Sequence, residues 1–309
     1  MKNFFKFIFL LAILGIVYVY HNDISNFLIT KYISTRNVTL NSSNEYKKNA
    51  NYSFVKQTDE FHVKDYQNLL DTIYTVLNNG WDEFKFYCDT NYKDCIKDIE
   101  SITDNDELIS HINNYVHPYN NYDSIQVTYN QLGEITISIS KLYNSDEIAE
   151  IDSKINEVYD SLITSDMSNY DKIKTIHDYI INNTIYDNIK GDFVLGKSNT
   201  DSIYKSHKAY GPLLQGYAIC SGYSDAMAIF LNKMGIPNYK ISSNNHVWNL
   251  VYLDNQWLHL DLTWDDPIVS TGENKITHNF FLIDDNALKE KNTEQHQYDT
   301  NIYKEATSY

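Results

Sequence analysis

Three residues suited to covalent chemistry lie within about 40 positions of one another. Cys220 precedes an apolar run, His246 precedes a second apolar stretch, and Asp261 lies near the end of a third. In nucleophilic acyl transfer a thiolate attacks, an imidazole moves the proton and a carboxylate orients the ring. The residue types and their order therefore predict a Cys-His-Asp triad.

The run after Cys220 predicts a helix over residues 221–234. Its apolar residues recur at helical spacing, and Gly235 and Pro237 follow as stop signals. Unpaired backbone N–H groups and the positive end of the helix dipole then point toward the sulfur, which favours the reactive thiolate. A lone cysteine would more simply be a buried, inert residue. The histidine and aspartate downstream favour the catalytic interpretation.

Two strands are predicted over residues 247–253 and 256–262, joined by a two-residue turn. In the register that this turn imposes, His246 and Asp261 lie diagonally on one face of the hairpin. Diagonal neighbours have Cα atoms about 7–8 Å apart, within reach of a hydrogen bond between the two side chains. The opposite face carries a core stripe of Val247, Val251, Leu258, Leu260 and Leu262.

Other chemistry in this stretch has weaker signals. A metal site of His246, His259 and Asp261 is conceivable, but the chain has no HExxH motif and no CxxC pair. Residues 222–226 are similar to a serine nucleophile elbow, except that they end in Ala instead of Gly. No glycine-rich phosphate loop or dinucleotide fingerprint is present. We therefore expect neither a metal nor a cofactor.

The chain resembles the transglutaminase-like superfamily, within the papain-like fold, over about residues 150–285. The matching segments are Tyr170 to Ile173, Asn183 to Asp187, Ala209 to Leu214, Cys220 to Ser224, His246 to Asn249 and Asp261 to Asp265. The resemblance implies an α+β catalytic domain in which the helix bearing the cysteine packs on an antiparallel sheet. It also implies that Cys220 is the nucleophile, His246 the base and then the acid, and Asp261 the orienting group.

Three residues are candidates for substrate binding. Papain-like enzymes often carry a glutamine shortly before the cysteine, and Gln215 stands five residues upstream of it here. A plain loop role for Gln215 is the alternative. Trp248 and Trp264 are candidates for the walls of the cleft, with core packing as the alternative for both.

The amino terminus predicts a membrane segment over residues 1–21. Lys2 and Lys6 precede an uninterrupted apolar stretch over 7–20, and no small residues mark a cleavage site at its end. We expect an uncleaved signal anchor in preference to a cleaved signal peptide. The lysines predict that the short end lies on the inner side of the membrane and the rest of the chain outside. The catalytic domain is then membrane-anchored and extracytoplasmic, or secreted.

The rest of the chain divides into three predicted parts. Residues 22–60 are polar and predict a tether, and residues 146–309 form the catalytic domain. Between them, residues 61–145 predict a small α+β domain that acts as a spacer, recognition module or lid. Its expected helices cover 65–78 and 105–116, and its expected strands cover 84–88, 125–129 and 134–140.

The cysteine count leaves one thiol for chemistry. Cys88 and Cys95 lie seven residues apart and could form a small-loop disulfide outside the membrane, or remain free. In either case Cys220 is left over, as is typical of a reactive thiol.

The amino-acid composition limits the classes of partner that this protein is expected to bind. The net charge of −16 disfavours nucleic acid and anionic membrane surfaces, and 42% hydrophobic residues support a substantial core. We expect an extracytoplasmic enzyme that acts on amide bonds of proteins or peptides at the cell surface through a thioester, with hydrolysis favoured. Transglutaminase crosslinking and a non-catalytic binding module are the alternatives. The sequence leaves the oligomeric state open.

Overall fold

The computed structural model describes residues 2–34, 36–130, 132–266 and 276–307. The helices are α1 (Lys2–Val19), α2 (His21–Ser34), α3 (Tyr66–Asn79), α4 (Cys95–Thr103), α5 (Asp106–Asn113), α6 (Ser145–Leu162), α7 (Asn169–Asn182), α8 (Asn188–Val194), α9 (Cys220–Lys233), α10 (Leu262–Asp265) and α11 (Asp285–Glu290). The strands are β1 (His62–Val63), β2 (Glu83–Cys88), β3 (Tyr122–Tyr129), β4 (Glu134–Lys141), β5 (Ile185–Tyr186), β6 (Tyr217–Ala218), β7 (Asn238–Ser242), β8 (Val247–Leu253) and β9 (Gln256–Leu260).

Helices α1 and α2 form the amino-terminal segment. Among the residues described, neither helix alone has the length and apolar character needed to cross a membrane. The stretches Lys6–Val19 and His21–Ile29 reach that length and composition only as a pair, which is bent by 70°.

The amino-terminal half forms a four-stranded sheet in the order β1-β2-β4-β3. The predicted strands and the helices α3 and α5 are confirmed, with ends shifted by a few residues. Helix α4 was not predicted, because its nine residues carry only three buried side chains, Cys95, Ile99 and Ile102. Of the predicted hairpin loop 130–133, Gln131 lies outside the described residues.

The second sheet has the antiparallel order β7-β8-β9 and carries the predicted hairpin. Leu253 pairs with Gln256, which is the predicted register. Asp254 and Asn255 have φ angles of +50° and +66°, as a two-residue type I′ turn requires. The second strand ends at Leu260, two residues earlier than predicted, because Asp261 is the N-cap of α10, which begins at Leu262.

Both faces of this second sheet are buried. One face packs on α9, where Asn249 Nδ2 donates to the Ser224 carbonyl at 3.0 Å. On the other face, Trp248 and Leu250 belong to the same hydrophobic cluster as Tyr115 of the amino-terminal half. The predicted small domain 61–145 is thus corrected in one respect, since its core is continuous with the core beneath the second sheet.

The predicted tether over residues 22–60 is also corrected. Its second half lies against the folded body: Tyr52 and Val55 are buried, and Trp81 Nε1 donates to the Ser42 carbonyl at 3.2 Å. Asn44 Nδ2 donates to Asn120 Oδ1 at 2.7 Å. The few apolar residues of this segment, although not periodic, fill gaps in the core.

Candidate active site

Cys220 is the first residue of α9 and is half-buried. Ile219 before it is extended and offers no side-chain acceptor, so the first-turn N–H groups of the helix remain without a side-chain cap. Gly222 lies in this turn, where an added Cβ would stand 2.2 Å from the Ser206 carbonyl oxygen. The glycine therefore lets a neighbouring backbone segment approach the start of the helix.

A buried ionic network holds α9 in place. Asp225 accepts from Lys240 Nζ at 2.6 Å and from the Tyr143 hydroxyl at 2.7 Å. Asn121 Nδ2 donates to the same carboxylate at 3.1 Å. Because Lys240 belongs to β7 and Asn121 to the amino-terminal half, the network fixes the helix against both parts of the chain.

His246 and Asp261 meet as their register predicted. His246 Nε2 lies 2.5 Å from Asp261 Oδ2, and both side chains are almost fully buried. Asp261 is also the N-cap of α10, where its Oδ1 accepts from the backbone N–H groups of Thr263 and Trp264 at 2.9 and 3.3 Å. The change from strand to helix after Leu260 therefore fixes the carboxylate with one oxygen directed at the imidazole.

The Cys220 thiol and His246 line the same cleft, and their interaction contributes to the pKa of His246. Since Asp261 occupies Nε2 of the ring, Nδ1 is the nitrogen that remains for the thiol. Burial lowers the pKa of His246, but the Asp261 carboxylate and the contact with Cys220 outweigh it and raise the pKa to about 10. Although burial opposes the charge on Asp261, the two histidines that contact it hold its pKa well below the usual range.

Sequence reasoning missed the second of these histidines. His296 Nε2 lies 2.8 Å from Asp261 Oδ2, the oxygen that also faces His246. His296 is buried, and its Nδ1 lies 2.6 Å from the Thr293 hydroxyl. It belongs to a polar segment near the carboxyl terminus, where no periodic pattern indicates a position in the core.

Trp248 supports His246 and does not form a wall of the cleft. The indole is 1% exposed and stacks on the His246 ring, with 5.6 Å between centroids and 18° between planes. Its Nε1 donates to His259 Nδ1 at 3.0 Å. The substrate-binding role predicted for Trp248 is corrected, since the indole ring is buried against His246 and its Nε1 is hydrogen-bonded to His259.

A cleft of about 410 Å³ opens over Cys220 and His246. Trp264 lines it, in agreement with the prediction, and its Nε1 donates to Gln295 Oε1 at 3.1 Å. The other residues that line the cleft are Tyr186, Gly191, Val194, Leu195, Ile219, Asn245, Thr263, Asp266 and Gln295. All of them come from the carboxyl-terminal half. No described residue of 61–145 lines this cleft, so a lid or recognition role for that region stays a prediction.

Tyr186 is a second residue that sequence reasoning did not single out. It pairs with Ala218, two positions before the cysteine, in the short parallel pair of β5 and β6. Burial and the nearby Cys220 raise the pKa of Tyr186 to about 12, so the phenol keeps its proton at neutral pH. An added Cβ at Gly191 would lie 3.1 Å from the Tyr186 hydroxyl. The cleft that contains the thiol therefore also contains a neutral O–H donor.

Gln215 is not among the residues that line the cleft. Its Oε1 accepts from the Lys205 backbone N–H at 2.8 Å, which ties together two loops upstream of the helix. The prediction of a substrate-binding glutamine is therefore corrected in favour of the alternative, a loop residue.

The conceivable metal site of His246, His259 and Asp261 is not assembled. His259 accepts from the Trp248 indole, whereas His296 is the residue whose ligand atom lies with those of His246 and Asp261. In that cluster Asp261 Oδ2 faces both imidazoles, and His246 also interacts with the Cys220 thiol. The arrangement suits a triad with an extra histidine.

Cys88 and Cys95 form a disulfide with a Cα–Cα distance of 6.0 Å. Since the chain has three cysteines, Cys220 is the single free thiol. Labelling reagents for thiols should therefore report on this one position.

Residues 156–262 match the family model of the transglutaminase-like superfamily. A search of curated proteins finds no significant match. Among solved structures, one described as a TGase is 18% identical, with 52% of this chain and 48% of that chain aligned and a TM-score of 0.35. A putative cysteine protease from Cytophaga hutchinsonii is 14% identical, with 45% of this chain and 61% of that chain aligned and a TM-score of 0.26.

The chain thus spans about half the length of the first of these proteins and less than two thirds of the second. The family match includes Cys220, His246 and Asp261 and ends before His296. Taken with the α+β architecture, it shows that this chain contains a transglutaminase-like domain over residues 156–262.

Proposed function

We propose that this protein is a cysteine acyl-transfer enzyme that acts on amide bonds of proteins or peptides, with hydrolysis as its main outcome. One observation carries the proposal. Cys220 begins a helix at an open cleft that His246 also lines, and His246 Nε2 lies 2.5 Å from Asp261 Oδ2. The nucleophile, the base and the orienting group therefore follow one another in space, as nucleophilic acyl transfer requires.

In the first half-reaction the Cys220 sulfur attacks the amide carbonyl carbon, and a negative charge develops on the carbonyl oxygen. The Cys220 backbone N–H and the Tyr186 hydroxyl are the donors available to that oxygen. The C–N bond then breaks as His246 gives its proton to the departing amine. The product is a thioester on Cys220 and a free amine.

In the second half-reaction water attacks the thioester carbon while His246 takes a proton from it. The C–S bond breaks, which releases a carboxylic acid and restores the sulfur. An amine in place of water would give a new amide, the transglutaminase outcome. We favour water because the cleft is open to solvent at Cys220 and water outnumbers any amine there.

We infer an extracytoplasmic location, with the protein membrane-anchored or secreted. The Cys88–Cys95 disulfide supports it, since such bonds persist in oxidising compartments. The apolar run over residues 7–20 after Lys2 and Lys6 supports an anchor or signal. Substrates are then proteins or peptide crosslinks at the cell surface.

The test combines a thiol-directed probe with isotopic water. Wild type should take up one equivalent of iodoacetamide at Cys220, and Cys220→Ala should take up none. After incubation with cell-surface peptides in H₂¹⁸O, hydrolysis adds one ¹⁸O to each new carboxyl terminus, whereas crosslinking creates isopeptide bonds without ¹⁸O. Equal turnover by wild type and Cys220→Ala would refute the enzyme proposal, and isopeptide products alone would refute hydrolysis.

A further inference from the structure

A second cluster of histidine and carboxylate lies outside the triad. His177 and Asp178 are adjacent in α7, and His278 lies in the segment that follows α10. One ligand atom from each lies within 4.8 Å of the other two. The mechanism above uses none of these three residues.

The separations between these atoms are close to those of a metal site. Asp178 Oδ1 lies 2.9 Å from His177 Nδ1 and 2.7 Å from His278 Nε2. In tetrahedral zinc sites, bonds of about 2.0–2.1 Å place the ligands about 3.3 Å apart, so the two distances from Asp178 Oδ1 would open by about half an ångström. Rotations of the partly exposed side chains of Asp178 and His278 can supply that movement.

The surroundings of His177 are those of a metal-ligating histidine. Its ring is fully buried, and its second nitrogen, Nε2, lies 3.3 Å from Asp265 Oδ2. Neither of these two buried atoms has a hydrogen-bond partner. Metal-bound histidines usually direct the other ring nitrogen at a carboxylate, which orients the ring and raises its basicity.

Asp265 also positions the third ligand. Its Oδ1 accepts from the Phe280 N–H and the Thr277 hydroxyl, both at 3.0 Å, on either side of His278. The same carboxylate therefore faces one histidine and anchors the segment that carries the other. Phe281 packs edge-on against both imidazoles and gives the site an apolar side.

The charges around the cluster and its exposure to solvent also suit a metal ion. Lys174 Nζ binds Asp178 Oδ2 at 2.7 Å, so Oδ1, which faces both imidazoles, is the carboxylate oxygen on the side of the proposed site. Asp265 adds a second negative charge next to the site. The side chains of Asp178 and His278 are 27% and 36% exposed, so a metal can enter and retain water as its remaining ligand.

We propose that His177, Asp178 and His278 form a binding site for a divalent transition metal, with Zn²⁺ as the ion that this donor set suits best. The ion joins α7 to the segment 276–282. Through Asp265 it also holds α10, which carries Trp264 of the cleft wall. The proposal does not depend on the proposed function.

The experiment measures metal binding by the full chain with Cys220→Ala, which removes the competing thiol. After treatment with a chelator, the protein is titrated with Co²⁺, followed by visible absorption, and then with Zn²⁺ in competition. We expect one equivalent to bind and to raise the thermal midpoint. His278→Gln should weaken binding about a hundredfold or more, since changes at even the outer-shell partners of a metal weaken it about 10- to 100-fold.

Two control variants make the result specific. His62→Gln alters a histidine outside both clusters and should bind metal as the parent does, and circular dichroism should show that each variant is folded. The proposal is overturned if the parent binds no metal, or if His278→Gln binds it as tightly as the parent. It is equally overturned if His296→Gln, and not His278→Gln, removes binding, because the ion would then occupy the triad.

Discussion

His296 places its Nε2 atom 2.8 Å from the Asp261 oxygen that also faces His246. The other Asp261 oxygen accepts two backbone N–H groups at the start of α10. The carboxylate is therefore held from four directions while it orients the imidazole. Because His296 comes from beyond the matched family segment, the carboxyl-terminal part of the chain completes the site.

We expect that loss of the His296 contact reduces turnover without abolishing it. A hydrogen bond to a charged group is worth about 1.5–3 kcal/mol, so His296→Leu should lower kcat about 10- to 100-fold with little change in KM. His296→Gln, which can still donate to Asp261, should restore most of the activity. Steady-state kinetics on one peptide amide checks both variants, and equal activity of wild type and His296→Leu would contradict the positioning role.

The pH dependence of alkylation should report the charge on His246. Its pKa is raised from 6.5 to about 10, so the ring stays protonated between these values and loses its proton as the pH rises through 10. Besides any change at lower pH, the rate of iodoacetamide reaction at Cys220 should show a second rise near pH 10, where His246 loses its proton and the sulfur its cationic partner.

Asp261→Asn tests the origin of that second rise. The substitution removes the negative charge that raises the His246 pKa, while burial continues to lower it. The second rise should therefore move to lower pH. The asparagine oxygen can still cap α10, so circular dichroism should show an unchanged fold. An unmoved second rise would mean that Asp261 does not set the charge of the imidazole.

The Tyr186 hydroxyl should matter for acyl transfer and not for alkylation. Loss of one oxyanion donor commonly lowers kcat about 10²- to 10³-fold, and we expect Tyr186→Phe to fall in this range. Alkylation by iodoacetamide passes through no oxyanion, so its rate should equal that of wild type. A parallel loss in both assays would instead indicate that Tyr186 acts on the thiol itself.

The network at Asp225 should dominate the stability of the catalytic helix. Asp225→Ala leaves the Lys240 ammonium buried without its partner, and breaking such a pair costs about 3–5 kcal/mol. Urea denaturation should show this decrease in the free energy of unfolding. Asp160→Ala, at an exposed position of α6, is the control and should change it by less than about 0.5 kcal/mol.

A double variant separates the unpaired charge from the loss of packing. Asp225→Leu with Lys240→Met replaces the pair by apolar groups of similar size and should lose much less stability than Asp225→Ala. If the double variant is as unstable as the single one, the hydrogen bonds from Tyr143 and Asn121 to Asp225 carry the stabilisation instead.

The sequence by itself determined the features that depend on neighbouring residues. Helical spacing and stop signals place Cys220 at a helix start, and the turn at Asp254-Asn255 sets a register in which His246 and Asp261 share a face. These relations are local because periodicity and turn length fix them within a few residues. The three residues of the predicted triad, Cys220, His246 and Asp261, could therefore be identified from the sequence.

Only the tertiary structure decided the rest. The parallel pairing that places Tyr186 in the cleft of the thiol and the contact from His296 both join segments that are far apart in the chain. Contacts of this kind arise from how separate elements pack, and a single sequence carries no periodic signal for them. The core shared by both halves of the chain is the largest example, since only packing reveals that the second sheet is covered on both faces.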